Sequence, residues 1–290
     1  MDKLIGKARV LVEALPYIQK FRGALVVIKF GGSAMEDPEL TAQTMRDAVL
    51  LEAIGMKPVV VHGGGKAISA ELKKRGIETQ FINGLRKTCV DSVKVVDDVL
   101  HNQVNAALVE NVMKYGGVGR QISGKEILKG EKMYSKCKET GVDLDIGFVG
   151  SVTEVDIAPI IATVEENIIP VIPPLAVGAN GEVYNVNADI AACKIAEALK
   201  ARKLVFLSDV PGILRDPSDE STLISHATRD DVMKMIDEGI ISGGMIPKVM
   251  SCLHALEAGT GKVHMVDGRI PHALLLEIFT DSGIGTEIVK

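Results

Sequence analysis

Apolar and polar positions along this chain follow two periods that alternate. The longer, helical period opens the chain: Leu4, Ile5, Ala8, Leu11, Val12, Leu15 and Ile18 fall on one face of a helix, which Pro16 is expected to kink or restart. From Ala24 the run ALVVIKF, rich in β-branched residues, predicts a strand. Asp37 as N-cap and Pro38 at the first helical position then predict a helix to about residue 54. The same exchange recurs: KPVVVHG leads into KAISAELKKRG, and KLVFLSDV and KVHMVDG repeat the strand signature, the latter before PHALLLEIF. Such alternation predicts an α/β fold with a mostly parallel central sheet covered by helices. Residues 116–156 are richer in glycine with shorter apolar runs, which predicts hairpins or a lid. No repeat with a period of about 20 to 50 residues is present. A boundary after ADIAACKIAEALKA, near residues 198–202, divides the chain into two α/β lobes with a cleft between them. Ligands of open parallel sheets bind beyond the carboxyl ends of the strands, where the glycine-rich turns fall.

Composition narrows the function class. Among 290 residues the net charge is -5, aromatics are 3% and tryptophan is absent, which argues against a nucleic-acid binder and favours a small-molecule enzyme. The N-terminus carries Lys3, Lys7 and Arg9 among its apolar residues, so it lacks the unbroken core of a signal peptide. The run IIPVIPPLAV contains three prolines and is too short to span a bilayer. Cys89, Cys137, Cys193 and Cys252 are far apart and follow no metal-ligand or disulfide spacing, so the expected setting is a reducing cytoplasm. Residues 1–22 hold a local basic surplus, which leaves three roles open for their amphipathic helix: packing on its own domain, lying on a membrane, or docking on another subunit.

Two strand-glycine-helix turns carry the chemistry. Lys29 interrupts an apolar strand just before Gly31, Gly32 and Ser33, and a second strand ends in His62, Gly63, Gly64 and Gly65. Glycines leave backbone N–H groups accessible and a lysine adds a point charge, the ingredients of a phosphate site. HGGG also occurs in esterase oxyanion holes, but no G-x-S-x-G elbow is present. GRQISGKE ends in Glu126 where a P-loop needs Ser or Thr, and the dinucleotide fingerprint G-x-G-x-x-G is absent. Asn185, Asn187 and Asp189 cluster at the entrance of a strongly periodic helix, where capping accounts for one of them and a polar pocket for the set. Lys248 lies near a helix N-terminus after Gly243 and Gly244, an unfavourable place for a cation unless an anion is near.

VIKFGGSAM, VVVHGGGKAIS, NGLRKT, YNVNADIAA, LSDVPGIL, SGGMIPKV and IGTEI occur in one order, and on them the chain resembles the acetylglutamate kinases of the amino acid kinase family. The resemblance implies an αβα sandwich, with residues 1–22 a kinked helix for oligomerisation and arginine regulation, 23–200 an acyl-substrate lobe and 201–290 a nucleotide lobe. It implies ATP-dependent phosphorylation of the side-chain carboxylate of N-acetyl-L-glutamate. Lys29 and Lys248 resemble the lysines that stabilise the transferring phosphoryl group, and Asp189 the carboxylate that organises them. Gly64, Gly65, Arg86 and Asn185 would bind the acyl substrate, and Gly31, Gly32, Ser208, Asp209, Gly212, Leu214, Gly243 and Gly244 the nucleotide. Magnesium would be held mainly by the nucleotide phosphates, with no protein metal site.

The segments EALPYIQKF and HALLLEIFTDSGIGT resemble those of arginine-inhibited members, with Tyr17, His272, Glu277 and Gly283 as the implied arginine contacts. In that group the N-terminal helices interlace dimers into a hexamer, a trimer of dimers, and a PII-type regulatory protein is a further implied partner. Two departures, Lys87-Thr88-Cys89 after Arg86 and Glu126 after Gly124-Lys125, fall near the expected substrate lid.

Overall fold

In the computed structural model, which describes residues 1–137, 140–280 and 283–290, the strands with the densest apolar runs in sequence lie in the middle of one sheet. The side chains of Asp2, Lys3 and Lys7 lie outside that description, as do Asp281 and Ser282 of the expected C-terminal regulatory segment. The chain begins with α1 (Asp2–Phe21), β1 (Leu25–Phe30), α2 (Pro38–Ala53), β2 (Lys57–His62), α3 (Gly65–Lys74), β3 (Gln80–Ile82) and β4 (Leu85–Lys87). A long helical stretch follows as α4 (Val90–Asp98), a π-helical turn (Val99–Asn105) and α5 (Ala106–Lys114). Then come β5 (Gly119–Gln121), α6 (Gly124–Ile127), β6 (Leu128–Lys136), β7 (Asp143–Val155), α7 (Ala158–Glu165), β8 (Ile169–Ile172), β9 (Leu175–Val177) and β10 (Val183–Val186). The remainder is α8 (Ala188–Leu199), β11 (Lys203–Ser208), β12 (His226–Thr228), α9 (Arg229–Asp237), α10 (Met245–Glu257), β13 (Lys262–Asp267), α11 (Ala273–Ile278) and β14 (Thr286–Val289).

Eight strands form the sheet in the order β12-β14-β13-β11-β1-β2-β8-β5. Only the β13-β14 pairing is antiparallel. Helices cover both faces, which is why β1, β2, β8 and β11 carry almost no exposed residue. Alternation along β1 sends Val26, Ile28 and Phe30 into the core shared with α2, α5 and α11, and Val27 into the core shared with α7, α8 and α10. Lys29 has the parity of Val27, so it faces α8 and α10.

The expected boundary after residue 200 falls within a continuous sheet: Arg202 N–H donates to Leu25 O at 2.9 Å, and β11 pairs with β1 from Val26↔Lys203 to Phe30↔Leu207. The glycine-rich middle forms the long β6-β7 hairpin, which closes with β9 and β10 into a four-stranded barrel. Asp37 caps α2 as expected, accepting from Glu39 N at 2.8 Å and Leu40 N at 3.2 Å. Pro16 does not restart α1, which runs unbroken from Asp2 to Phe21. The proline removes only its own N–H, and the carbonyl it releases, that of Val12, lies in an exposed stretch where water can satisfy it. That stretch leaves Leu4, Leu11 and Val12 uncovered at 64%, 73% and 67% exposure. Among the described residues no helix is long and apolar enough to cross a membrane.

Candidate active site

Because β1 and β2 are adjacent and parallel, with Phe30 opposite His62, both glycine turns emerge side by side at one edge of the sheet. Gly63 N–H donates to Phe30 O at 2.8 Å and ties them together. A Cβ at Gly31 would sit 2.6 Å from Lys29 Nζ, so glycine there lets the lysine curl over the turn. Gly32 has φ 76, in the left-handed region, and a side chain on it would strike the Asp209 carboxylate. Asp209 accepts from Ser33 N at 2.6 Å and Ser33 Oγ at 2.8 Å, which closes the first turn onto the end of β11.

Three charged side chains converge beside these turns. Lys29 Nζ lies 2.9 Å from Asp189 Oδ1, and Lys248 Nζ lies 3.5 Å from Asp189 Oδ2. Asp189 is placed by the cap of α8, where Asn187 Oδ1 accepts from Asp189 N at 2.8 Å. Lys248 projects from the first turns of α10, with its ammonium 5.5 Å from the centre of the Phe206 ring. Burial pushes the Asp189 carboxyl up, but the Lys29 and Lys248 charges outweigh it and hold the group below its ordinary range. The cluster is two cations on one buried anion, a net positive site. Among the described residues no group of three His, Cys, Asp or Glu side chains is arranged to hold a metal ion. The donor set fits a polyanion.

Arg86, at 7% exposure, donates from Nη2 to Gly65 O and Ser69 Oγ, both at 2.7 Å, and stacks on Phe81 with its guanidinium carbon 4.7 Å from the ring centre. Burial alone lowers its pKa. Asn185 Nδ2 donates to Thr88 Oγ1 at 3.3 Å, and Thr88 in turn donates to Arg86 O at 2.8 Å. A cavity of about 170 Å³ is lined by Gly64, Gly65, Arg86, Asn185 and Asn187, so the structure brings all four expected acyl-substrate residues to one place. A cleft of about 560 Å³ adjoins it, lined by Gly32, Ser33, Met35, Arg86 and Asp209.

The expected nucleotide residues separate into two kinds. Ser208 and Asp209 stand at the end of β11, and Gly243 and Gly244 open α10 with open space where side chains would be. Gly212 and Leu214 are engaged internally: a Cβ on Gly212 would strike Thr286, Ile213 N–H donates to Thr286 Oγ1 at 2.8 Å, and Leu214 bridges Leu223. No local pattern marks Thr88 and Ser69, which join the site through Asn185 and Arg86, whereas Asn187 stands where the polar cluster at the helix entrance places it, as the N-cap of α8.

Far from this site, the end of α1 meets β11, β13 and α11 around a cavity of about 380 Å³. Tyr17, Glu277 and Gly283 line it, together with Phe21, Lys203 and His264. His272 does not; it bonds Asp47 Oδ1 at 2.7 Å. Beneath the cavity Lys203 Nζ is 3.1 Å from His264 Nε2, and His264 Nδ1 is 2.6 Å from Glu277 Oε1. Burial pushes Lys203 down to about 8 against the pull of Glu277 and Glu287.

The sequence profile of the amino acid kinase family matches residues 24–267. Over 292 aligned residues the chain is 49% identical to an acetylglutamate kinase of Akkermansia muciniphila, covering all of this chain and 98% of that one. It is 48% identical to an acetylglutamate kinase of Heliobacterium modesticaldum, with both chains fully covered. Among solved structures, N-acetylglutamate synthase of Neisseria gonorrhoeae in complex with coenzyme A and N-acetyl-glutamate superposes with a TM-score of 0.83 at 24% identity, a likeness of fold. The match takes in 97% of this chain but 62% of the synthase. The same synthase with coenzyme A and L-arginine gives 0.78 at 25% identity, over 96% of this chain and 64% of that one.

Proposed function

This chain belongs to the amino acid kinase family, and we propose that it transfers the γ-phosphoryl group of ATP to the side-chain carboxylate of N-acetyl-L-glutamate. The observation that carries this reading is the Lys29–Asp189–Lys248 cluster beside two glycine turns. The acceptor carboxylate, with an ordinary pKa of about 4.3, is ionised at neutral pH, so the reaction needs no general base. The difficulty is electrostatic: one anion must approach another in line. Lys29 and Lys248 would flank the transferring group while Asp189 holds both ammonium groups in place, and the Gly64 and Gly65 N–H groups would take up charge on its oxygens. Magnesium, carried on the nucleotide phosphates, would neutralise further charge there. Arg86 would turn Nη2 from Gly65 O and Ser69 Oγ to the substrate and clamp its α-carboxylate through two parallel N–H donors, a geometry lysine lacks. The nucleotide would lie over the end of β11 and the start of α10. In this reading residues 23–200 form the acyl-substrate lobe and 201–290 the nucleotide lobe, as two halves of one sheet.

A coupled ATPase assay tests the proposal. N-acetyl-L-glutamate should accelerate ATP consumption, while glutamate, aspartate and carbamate should not; acceleration by one of those three would transfer the enzyme to another branch of the family.

A second reading concerns regulation: arginine binds the cavity at the end of α1, and α1 interlaces dimers into a hexamer. The cavity sets Glu277 among Lys20, Arg202, Lys203 and Lys262, which suits an amino acid with one carboxylate and a cationic side chain. The uncovered apolar residues of α1 favour docking on another subunit over packing on its own domain. Arginine would hold the two halves of the sheet in an open state that keeps Lys29 and Lys248 too far apart for transfer.

A further inference from the structure

The three glycines after β2 are held from behind by a buried chain of polar contacts. His62, the last residue of β2, shares the parity of Val60 and points into the face covered by α5. Its Nδ1 lies 2.7 Å from Gly63 O, and its Nε2 lies 3.0 Å from Asn105 Nδ2. Asn105 Nδ2 is also 2.9 Å from Val171 O. His62 and Asn105 are both wholly buried.

These contacts determine every proton. A carbonyl only accepts, so the Asn105 amide nitrogen must face Val171 O, and its second hydrogen is directed at His62 Nε2. Nε2 is therefore the acceptor, Nδ1 carries the hydrogen, and that hydrogen goes to Gly63 O. An imidazolium would set N–H against N–H. Burial pushes the His62 pKa down to about 4, the Gly63 contact opposing and nearby His101 assisting. His101 bonds Asp97 and Ser123, not His62. The ring is thus neutral above about pH 4.

We propose that Asn105 is a positioning residue for the phosphoryl transfer described above, acting through His62 to fix the peptide between Gly63 and Gly64. In a planar trans peptide the C=O and the following N–H point in opposite directions. With Gly63 O drawn toward the imidazole on the α5 face, Gly64 N–H is turned away from it, toward the cavity that Gly64, Gly65, Arg86 and Asn185 line. The π-helical turn delivers both supports. It ends at Asn105, and its Leu100 packs so closely on Gly64 that a Cβ there would sit 2.6 Å from Leu100 Cδ2. A wide turn of this kind is kept at the expense of regular helical bonding and recurs at functional sites. Asn105 Oδ1 is buried with no partner, so what the amide contributes is its two donated hydrogens.

The inference rests on the proposed reaction, and its test separates the two. Selective 15N labelling of histidine should show His62 Nδ1 protonated and Nε2 bare across pH 5 to 8, a readout independent of turnover. A protonated Nε2 in the wild type would overturn the relay. In Asn105→Asp the carboxylate demands a proton on Nε2: the neutral ring then gives up its Nδ1 hydrogen and releases Gly63 O, whereas at lower pH the imidazolium, now favoured by the carboxylate, keeps both hydrogens and holds it. Its kcat should fall roughly 10- to 100-fold in folded protein, with a new ionisation in the pH profile and KM for ATP within about 3-fold. Asn105→Leu, which removes both donors at similar volume, should lose kcat without the new ionisation. A kcat within about 3-fold of wild type in folded Asn105→Leu would show that Asn105 serves stability alone. A wild type without acetylglutamate-dependent turnover would instead refute the reaction and leave the tautomer result standing.

Discussion

Lys29 and Asp189 meet at 2.9 Å although one lies near the end of a strand and the other in the first turn of a helix far along the chain, and the contact makes the buried aspartate an anchor for a second lysine. Asp189→Asn would free both ammonium groups from their common anion. The expected result is a drop in kcat of about 100-fold or more, with the folded state retained because the amide keeps the size of the carboxylate. Circular dichroism beside steady-state kinetics decides it, and an unchanged kcat would remove Asp189 from the machinery.

Lys248→Ala should lower kcat far more than it changes either KM, since the ammonium acts on charge that develops in the transition state. One such contact is worth about 3 to 4 kcal/mol, or roughly 10²- to 10³-fold in rate. A selective rise in KM for ATP with kcat intact would recast Lys248 as a ground-state nucleotide contact.

Arg86→Lys keeps the charge and loses the fork. KM for N-acetyl-L-glutamate should rise by about 10-fold or more while KM for ATP stays within about 2-fold. Equal losses for both substrates would count against a carboxylate clamp.

Deleting residues 1–22 should convert hexamers to dimers by light scattering and abolish inhibition by arginine, while basal activity is retained. A full-length dimer, or a truncated enzyme that arginine still inhibits, would dispose of the regulatory reading and leave the catalytic one intact.

Asp47 supplies a pH signature. Burial pushes its carboxyl up to about 6 from an ordinary 3.8, against the hydrogen bond from His272. A folded-state value above the unfolded one means that the folded chain holds the proton more tightly. The stability this gives is complete below pH 3.8 and is lost as pH rises through about 6. Its size is on the order of 2 to 3 kcal/mol. Asp47→Asn, which cannot ionise, should flatten the part of the Tm curve between those limits. A variant whose curve parallels that of the wild type would assign the slope to other groups.

The sequence by itself determined the elements and the chemistry they carry. Apolar strands ending in glycine turns, a capped helix at Asp37 and the polar entrance of α8 are local facts, because burial, capping and turn geometry depend on neighbours within a few residues. It also determined which face of β1 Lys29 occupies, since parity along a strand leaves no choice. The tertiary structure alone decided what meets what. The pairing of β11 with β1 made two expected lobes halves of one sheet, an outcome that strand order governs and no local pattern records. It brought Asp189 between Lys29 and Lys248, set His272 on Asp47, and left the outer part of α1 without a covering partner in the chain. It also closed the relay from Asn105 to Gly63. Asn105 is one unremarkable polar residue in a helical run, and its meaning arises only because a π-helical turn rotates it onto a buried histidine, a long-range contact that sequence spacing cannot encode.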